Sequence, residues 1–470
     1  MIEAVCPDSA RSCASNTEEA LLQVFRRAAT EVPSYRHVLL ERGVRVEDVT
    51  DLASFSRLCP VLSKETTFDR FPIEELSVGA CTHDLAAVLT SSGQGGRFSF
   101  GVTTRTAAEA TVRFLDDALD RAFHVKSRST LAINCLPMGV GFSSHHMTIA
   151  TVSVREDMAL ALVTAFGHRY DQILLVGDPM FLKHLTDRAT ELALDWNRHR
   201  VHVVIGEEIF GEHYRGYLAS RLGIDLETGE QGTILSSFGV GELGLHLAYE
   251  TTATVGLRRA ATGDREFACE LFGSDLATGA LPPMLFAFDA ERLFVEILDA
   301  DEHGYGLMTT SLLDPEQTIP LIRYQTGDIA ALLDRDRICE LARQRRVPLS
   351  RDLPPMLLAL RGRRSEGLPN GSHVGVYKDA LYADHGIADC VTGATRLVFE
   401  GACCTWHVQL RASATVDSSV RERLLHALPK AVRPLDVVLW AYSQFPFGMS
   451  LDYERKFCHF RATDTAALRH

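Results

Sequence analysis

Apolar residues recur along this chain at two different spacings. In TEEALLQVFRRAATEV (17–32), Leu21, Leu22, Phe25 and Ala28 fall on one helical stripe, which predicts an amphipathic helix capped by Asn16 or Thr17. Further on, short apolar runs alternate with helix-length stretches. DLAAVL (84–89), STLAINCL (129–136), VHVVIG (201–206) and GTILSSFG (232–239) read as strands, and TAAEATVRFLDDALDRAF (106–123), FLKHLTDRATELALDW (181–196) and EHYRGYLASRL (212–222) read as helices. That alternation predicts βαβ units, a largely parallel sheet and function at the strand ends.

The pattern changes after residue 330. ALLDRDRICELARQRRVPLSRDLPPMLLAL (331–360) is basic, marked by proline and poorly periodic, and RGRRSEGLPNGS (361–372) reads as a hinge followed by a turn. Beyond it come two strands (ATRLVFEG and TWHVQLRA), a helix (SSVRERLLHALPKAV) and a final strand (LDVVLWAY). The expected fold is α/β, with a large domain at 1–361 and a small, mobile α+β domain at 362–470.

Composition narrows the class. With 470 residues, 46% of them hydrophobic and 23% charged, the chain has the makeup of a globular protein with a sizeable core. Its longest apolar runs, such as MALALVTAF (158–166), fall short of the roughly 20 residues a spanning helix needs. MIEAVCPDSARSC lacks the basic and apolar regions of a signal peptide, so the cytoplasm is the expected location. A net charge of −13 argues against nucleic acid or an anionic membrane as partner and leaves small molecules. The eleven cysteines include no C-x-x-C pair, as expected for unpaired thiols. The neighbours Cys403 and Cys404 should point to opposite faces of a strand. His145 and His146 are adjacent and therefore diverge, which makes a poor start for a metal site.

The chemistry is carried by five stretches. TSSGQGGRFSFG (90–101) is a loop rich in hydroxyls and glycine, a composition suited to an anion cradle because free backbone N–H groups line it. It lacks the G-x-x-x-x-G-K-[ST] spacing of a phosphate-binding P-loop. Behind it follow VVIGEEIF (203–210), SSFGVGELG (236–244), PLIRYQTGDIA (320–330) and LRGRRSEG (360–367). In this order the five resemble the core motifs of the adenylate-forming, acyl-CoA synthetase-like superfamily, most closely its phenylacetate-CoA ligase-like branch. LLVGDPMFLKHL also resembles the acyl-protein synthetases of fatty acid reductase systems. The similarity runs from about residue 20 to 460.

The resemblance implies an ATP- and Mg²⁺-dependent ligase that makes an acyl-adenylate from a small carboxylic acid, releases pyrophosphate and passes the acyl group on. Coenzyme A is the default acceptor, with a carrier protein, a protein cysteine or an amine as alternatives, and a homodimer stays open. It assigns Asp328 to the ribose hydroxyls, Phe238 and Gly239 to adenine, and Glu242 to Mg²⁺, as a hard carboxylate oxygen suits. Ser91, Ser92, Gly93, Gly96 and Arg97 would hold the departing phosphates, with Arg97 where relatives carry lysine. Gly206 and Glu207 would lie against adenine, and Arg363 would touch the ribose, although RGRR leaves its register open to a slip of one residue. Lys456, in MSLDYERKFCHF, is the candidate cation for the α-phosphate, with Arg455 as competitor. Val140, Phe142 and Gly177 are candidate walls of the acyl pocket. Gly241 departs from the family pattern, which has a hydroxyl there. That departure and the altered phosphate loop favour a second reading, a catalytically degenerate protein that binds nucleotide or acyl compounds and regulates.

Overall fold

The computed structural model describes residues 8–80, 84–91, 98–273, 276, 279–350, 352–401, 403–448 and 453–462. The chain forms two compact units, each discontinuous in sequence. One comprises Met1–Phe114, Phe238–Tyr249 and Ala287–Leu332, and the other Leu115–Ser237, Glu250–Phe286 and Leu333–His470.

The first unit is built on the helix Asp8–Glu31, which buries Leu21, Leu22, Phe25 and Ala28 along the predicted stripe. Phe25 meets Tyr35 and Phe55 edge-on, with ring centroids 6.2 and 6.0 Å away. Neither Asn16 nor Thr17 caps this helix, because it is already under way at Asp8. The hydroxyl of Thr17 instead donates to the carbonyl of Ala290 at 3.2 Å. Strands Leu293–Leu298, Gly306–Leu312 and Tyr324–Asp334 follow one another in antiparallel pairing. A separate antiparallel hairpin, Leu85–Thr90 with Phe100–Thr104, holds the two ends of the 91–99 loop together.

The second unit carries the predicted parallel ladder. Thr130–Asn134 pairs with Thr148–Thr151 on one side and Gln172–Gly177 on the other, followed by Val201–Ile205 and the first residues of Ile234–Val240, all parallel. Its central residues, among them Ile133, Leu175, Val203 and Ile205, are fully buried, which explains why these strands read as continuous apolar runs. Helices Pro179–Glu191 and Glu212–Leu222 make the crossovers; the first starts with proline behind an Asp178 cap, an arrangement suited to a helix N-terminus. A four-stranded sheet near the C-terminus has the order Asp436–Trp440, Cys403–Leu410, Val391–Glu400, Phe460–Ala462. Cys403 is exposed and Cys404 buried, as strand alternation requires.

The stretch 331–360 is more regular than its sequence suggests. It contains the helix Arg335–Arg345, whose cap Asp334 accepts from the backbone N–H groups of Asp336 and Arg337, and most of the strand Met356–Arg363. The helix buries only Ile338 and Ala342, so its apolar stripe is too thin to register as a period. The helix Val374–Ala380 went undetected for lack of length.

Four charges buried in the second unit fix its interior. Arg215 donates from Nη2 to both carboxylate oxygens of Glu250 at 2.8 and 3.0 Å, from Nε to Glu212 at 3.0 Å, and from Nη1 to the carbonyl of Ile234. Glu212 also accepts from Arg258 Nη1 at 3.0 Å, and Arg258 Nη2 donates to the carbonyl of Phe210 at 2.7 Å. Removing one partner strands a charge without water. Glu250→Ala should therefore cost about 3–5 kcal/mol of unfolding free energy in a urea titration. A loss under about 1 kcal/mol, the range of surface pairs, would show the network to be dispensable.

Candidate active site

In the first unit the site begins with a bulge. Between the paired positions Thr309↔Gln325 and Leu307↔Ile329, one residue of the Gly306–Leu312 strand faces three of its partner, Thr326, Gly327 and Asp328. Gly327 takes the left-handed conformation (φ 85°), which a glycine adopts without penalty. The bulge turns Asp328 out of the regular ladder, and the residue is buried. The motif enters the bulge from a clamp. Arg323, itself at φ 49°, donates from Nε to Glu296 at 2.8 Å and from Nη1 to the carbonyl of Cys59 at 2.6 Å. Its backbone N–H donates to the hydroxyl of Ser311 at 2.8 Å. Sequence reasoning used this arginine only to recognise the motif; its structural work depends on Glu296 and Cys59, far away in the chain.

Tyr324 joins two motifs. Its phenol donates to Oε1 of Glu242 at 2.8 Å, and burial together with that carboxylate raises its pKa above the ordinary phenol value. Glu242 sits in the tight turn after the strand Ile234–Val240, closed by the Leu243 N–H on the carbonyl of Val240 at 3.1 Å. Phe238 and Gly239 lie on that strand. A Cβ on Gly239 would come within 2.3 Å of the Leu245 backbone.

Gly241, where the resemblance expects a hydroxyl, is closely packed. A Cβ there would lie 3.2 Å from the Thr90 carbonyl and 3.3 Å from the Ser91 nitrogen, and a Cβ on Gly101 would lie 2.1 Å from the Gly241 carbonyl. Thr90 and Ser91 thus rest on the 241 turn, where any side chain would require these neighbours to give by a few tenths of an ångström. Ser91 donates its N–H to the carbonyl of Ser99 at 2.9 Å and accepts the Ser99 N–H on its hydroxyl at 3.0 Å, closing the loop. Ser92, Gly93, Gly96 and Arg97 lie outside the described residues.

In the second unit Val140, Phe142, Gly177, Gly206 and Glu207 lie at or just after the carboxyl ends of neighbouring parallel strands. The side chain of Asn134 donates to the carbonyl of Val140 at 2.8 Å and accepts from Leu136 N–H at 3.1 Å, shaping the turn after its strand. Phe142 packs against a cluster that includes Leu119, Phe123 and Leu174. Gly177 accepts the N–H of Gly206 at 3.1 Å, and its Cα approaches Leu182 so closely that a Cβ would lie 3.2 Å from Cγ. Gly206 leads into Glu207, a non-glycine residue with φ 72°. Lys456 donates to the Glu207 carboxylate at 2.9 Å and to its carbonyl at 3.1 Å, while Arg455 is exposed. Arg363 ends its strand beside Gly362, whose φ of 119° and approach to Ile209 and His373 leave no room for a side chain.

So the structure brings Glu207 to Lys456 in one unit and Tyr324, beside the Asp328 bulge, to Glu242 in the other. Sequence reasoning missed the groups around Glu207. Glu208 pairs with Lys378, and His459 Nε2 lies 3.9 Å from the same carboxylate. Burial pushes Glu208 up, but Lys378, His459 and Lys456 outweigh it and hold the carboxyl at about 2. Burial, helped by repulsion from Lys378, pushes His459 down to about 4. Asp178 responds the other way: burial and the carboxylates of Glu208 and Glu207 push it up to about 7 against the N–H groups of Phe181 and Met180. Among the described residues, no group of three or more histidines, cysteines or carboxylates is placed to hold a metal ion.

No family model and no curated protein matches the chain. Among solved structures it is similar to 2-hydroxyisobutyryl-CoA ligase in the postadenylation state in complex with R3-HIB-AMP, with a TM-score of 0.67 at 14% identity, covering 98% of this chain and 91% of that one. The same ligase in complex with 2-HIB-AMP and CoA in the thioesterification state gives 0.54 at 14% identity, covering 97% and 90%. At this identity the likeness is one of fold, and it is the fold that the motif resemblance implies.

The raised Asp178 carboxyl gives a test by pH. The folded protein holds this proton more tightly than the unfolded chain, so its contribution to stability falls as pH rises from about 4 to about 7. Asp178→Asn keeps a capping side chain and removes the buried charge. Urea midpoints should show the variant more stable than the parent at pH 8, by roughly 1–3 kcal/mol, with the gap closing towards pH 4. A gap of constant size would contradict the assignment.

Proposed function

We propose that the chain is an adenylate-forming ligase. A carboxylate substrate attacks the α-phosphorus of ATP, pyrophosphate leaves, and the acyl group of the adenylate passes to a thiol or an amine, with coenzyme A as the first acceptor to test. The observation that carries this reading is the Tyr324–Glu242 hydrogen bond beside the Asp328 bulge. It couples the two motifs that the resemblance assigns to ribose and to Mg²⁺. The likeness in fold to a ligase crystallised with acyl-AMP adducts supports the same reading.

The residues suit the groups they would hold. Asp328 is a buried carboxylate displaced from its ladder, with two acceptor oxygens for a pair of hydroxyls. Glu242 offers a hard oxygen ligand, and Mg²⁺ is commonly held by one or two carboxylates together with substrate phosphates. Tyr324 orients that carboxylate from behind. Bound ATP would supply the electrophilic phosphorus and the pyrophosphate leaving group. The chain's own task is to hold the carboxylate in line, exclude water and bring a cation to the charge that develops on the α-phosphate, the role proposed for Lys456.

Isotope exchange between pyrophosphate and ATP, measured against a panel of carboxylic acids, tests the reading. The protein should catalyse exchange with at least one acid class, and Asp328→Ala should abolish both exchange and the stabilisation by Mg·ATP, which at a hundredfold excess over Kd is about 2.7 kcal/mol. Stabilisation by ATP without exchange would favour the degenerate, regulatory reading. No stabilisation at all would remove the nucleotide.

The reading also proposes that residues 362–470 act as a mobile small domain, turning at Gly362–Gly367 between the half-reactions. Gly362 at φ 119° and the single helical turn Arg364–Glu366 support a pivot there. Limited trypsin digestion of the free protein should cut first at Arg361, Arg363 or Arg364. Complete protection of that stretch in every ligand state would count against the pivot.

A further inference from the structure

Glu207 does more at its turn than the sequence motif suggests. Its backbone lies in the left-handed region at φ 72°, a conformation that a non-glycine residue keeps only where its surroundings hold it. The turn is closed by the Glu208 N–H on the carbonyl of Gly206 at 2.9 Å and anchored to the neighbouring strand by the Gly206 N–H on the carbonyl of Gly177 at 3.1 Å. This conformation sends Glu207 and Glu208 to different cations. Glu208 takes Lys378, while the carbonyl and the carboxylate of Glu207 converge on the Nζ of Lys456 at 3.1 and 2.9 Å.

An exposed lysine–glutamate pair at a surface is usually of little consequence. This one belongs to a segment docked along its length. Tyr453 is buried, stacks on His184 with ring centroids 5.3 Å apart and meets Phe181 edge-on at 5.6 Å. Glu454 accepts from the Met138 N–H at 2.7 Å and from the Ser153 hydroxyl at 2.6 Å. His459 sits near Glu208, and its Nδ1 donates to the Thr395 carbonyl at 3.1 Å. Lys456 lies between these anchors. An ammonium has three N–H donors, and Glu207 can take two of them, which leaves one for a ligand.

Resting on the function proposed above, we propose that Glu207 is a positioning residue for Lys456: its two oxygens set the heading of the ammonium that meets the α-phosphate. This replaces the contact with adenine that the motif alone suggests for Glu207. A cation fixed in advance costs no reorganisation when charge develops, which is where such a group is worth most.

The test compares Glu207→Gln, Glu207→Asp, Lys456→Ala and the double variant Glu207→Gln/Lys456→Ala in the full-length protein. Glu207→Gln should lower the rate of adenylate formation by about tenfold to a hundredfold with ATP affinity by calorimetry unchanged, since misplacing a catalytic group acts on rate. Glu207→Asp should recover part of the loss. The double variant should be no slower than Lys456→Ala alone, because coupled residues do not add. A second readout does not need turnover: labelling of Lys456 by an amine-reactive reagent, followed by mass spectrometry, should be faster in Glu207→Gln than in the parent. If Glu207→Gln speeds adenylation, the contact holds the lysine back and the proposal is wrong. Weaker ATP binding with additive losses would return Glu207 to the adenine, and unchanged labelling with unchanged rate would overturn the contact itself. If the parent forms no adenylate from any acid while labelling changes as expected, the proposed function fails and the role of Glu207 falls with it, leaving only the ion pair.

Discussion

A buried arginine holds together the charged interior of the second unit. Arg215 bonds the carbonyl of Ile234 and the carboxylate of Glu250, the two residues that bracket the segment containing SSFGVGELG. Through Glu212 it is linked to Arg258, which holds the carbonyl of Phe210 at the end of VVIGEEIF. Taking four charges out of water is expensive, and replacing such networks by apolar side chains often leaves stability intact. What an apolar core lacks is direction. A guanidinium with fixed donor geometry fixes the Ile234 carbonyl and the Glu250 carboxylate with respect to each other.

The turns themselves obtain their geometry from local departures from regular structure. Two extra residues in a strand turn Asp328 out of its ladder, a left-handed Glu207 splits two carboxylates between two lysines, and Gly241 packs closely against Thr90 and Ser91. Each departure is supported by something rigid nearby: the Arg323–Glu296 clamp, the Gly177–Gly206 bond between strand ends, the serine pair that closes the hairpin loop. The same buried, charged setting sends Asp178 and Glu208 in opposite directions: burial and the neighbouring carboxylates push Asp178 up to about 7, while the hydrogen-bonded Lys378, with His459 and Lys456, outweighs burial at Glu208 and holds it at about 2.

The parallel ladder was legible because strands buried on both faces leave continuous apolar runs, and the helix Asp8–Glu31 because one face is apolar. Its start was misread, since Asn16 and Thr17 have capping chemistry wherever they stand. The helix Arg335–Arg345 was illegible because it buries too little to show a period. In the site, Asp328 and Glu242 were legible as motif residues, and Lys456 was singled out with Arg455 as competitor; its bonds to Glu207 were not foreseen. The partnerships were not legible. Tyr324 with Glu242, Arg323 with Cys59, Glu208 with Lys378 and Glu454 with Met138 are separated by 82, 264, 170 and 316 positions, and no local pattern encodes such pairings.

The central claim is that a carboxylate oxygen attacks the α-phosphorus of ATP. The direct measurement is a single turnover with a carboxylic acid labelled in its carboxylate with heavy oxygen, followed by mass analysis of the nucleotide product. The account predicts that AMP acquires one labelled oxygen, because the acyl–oxygen bond of the adenylate breaks on transfer and the bridging oxygen stays on phosphorus. Unlabelled AMP, or label appearing in inorganic phosphate beside ADP, would contradict it.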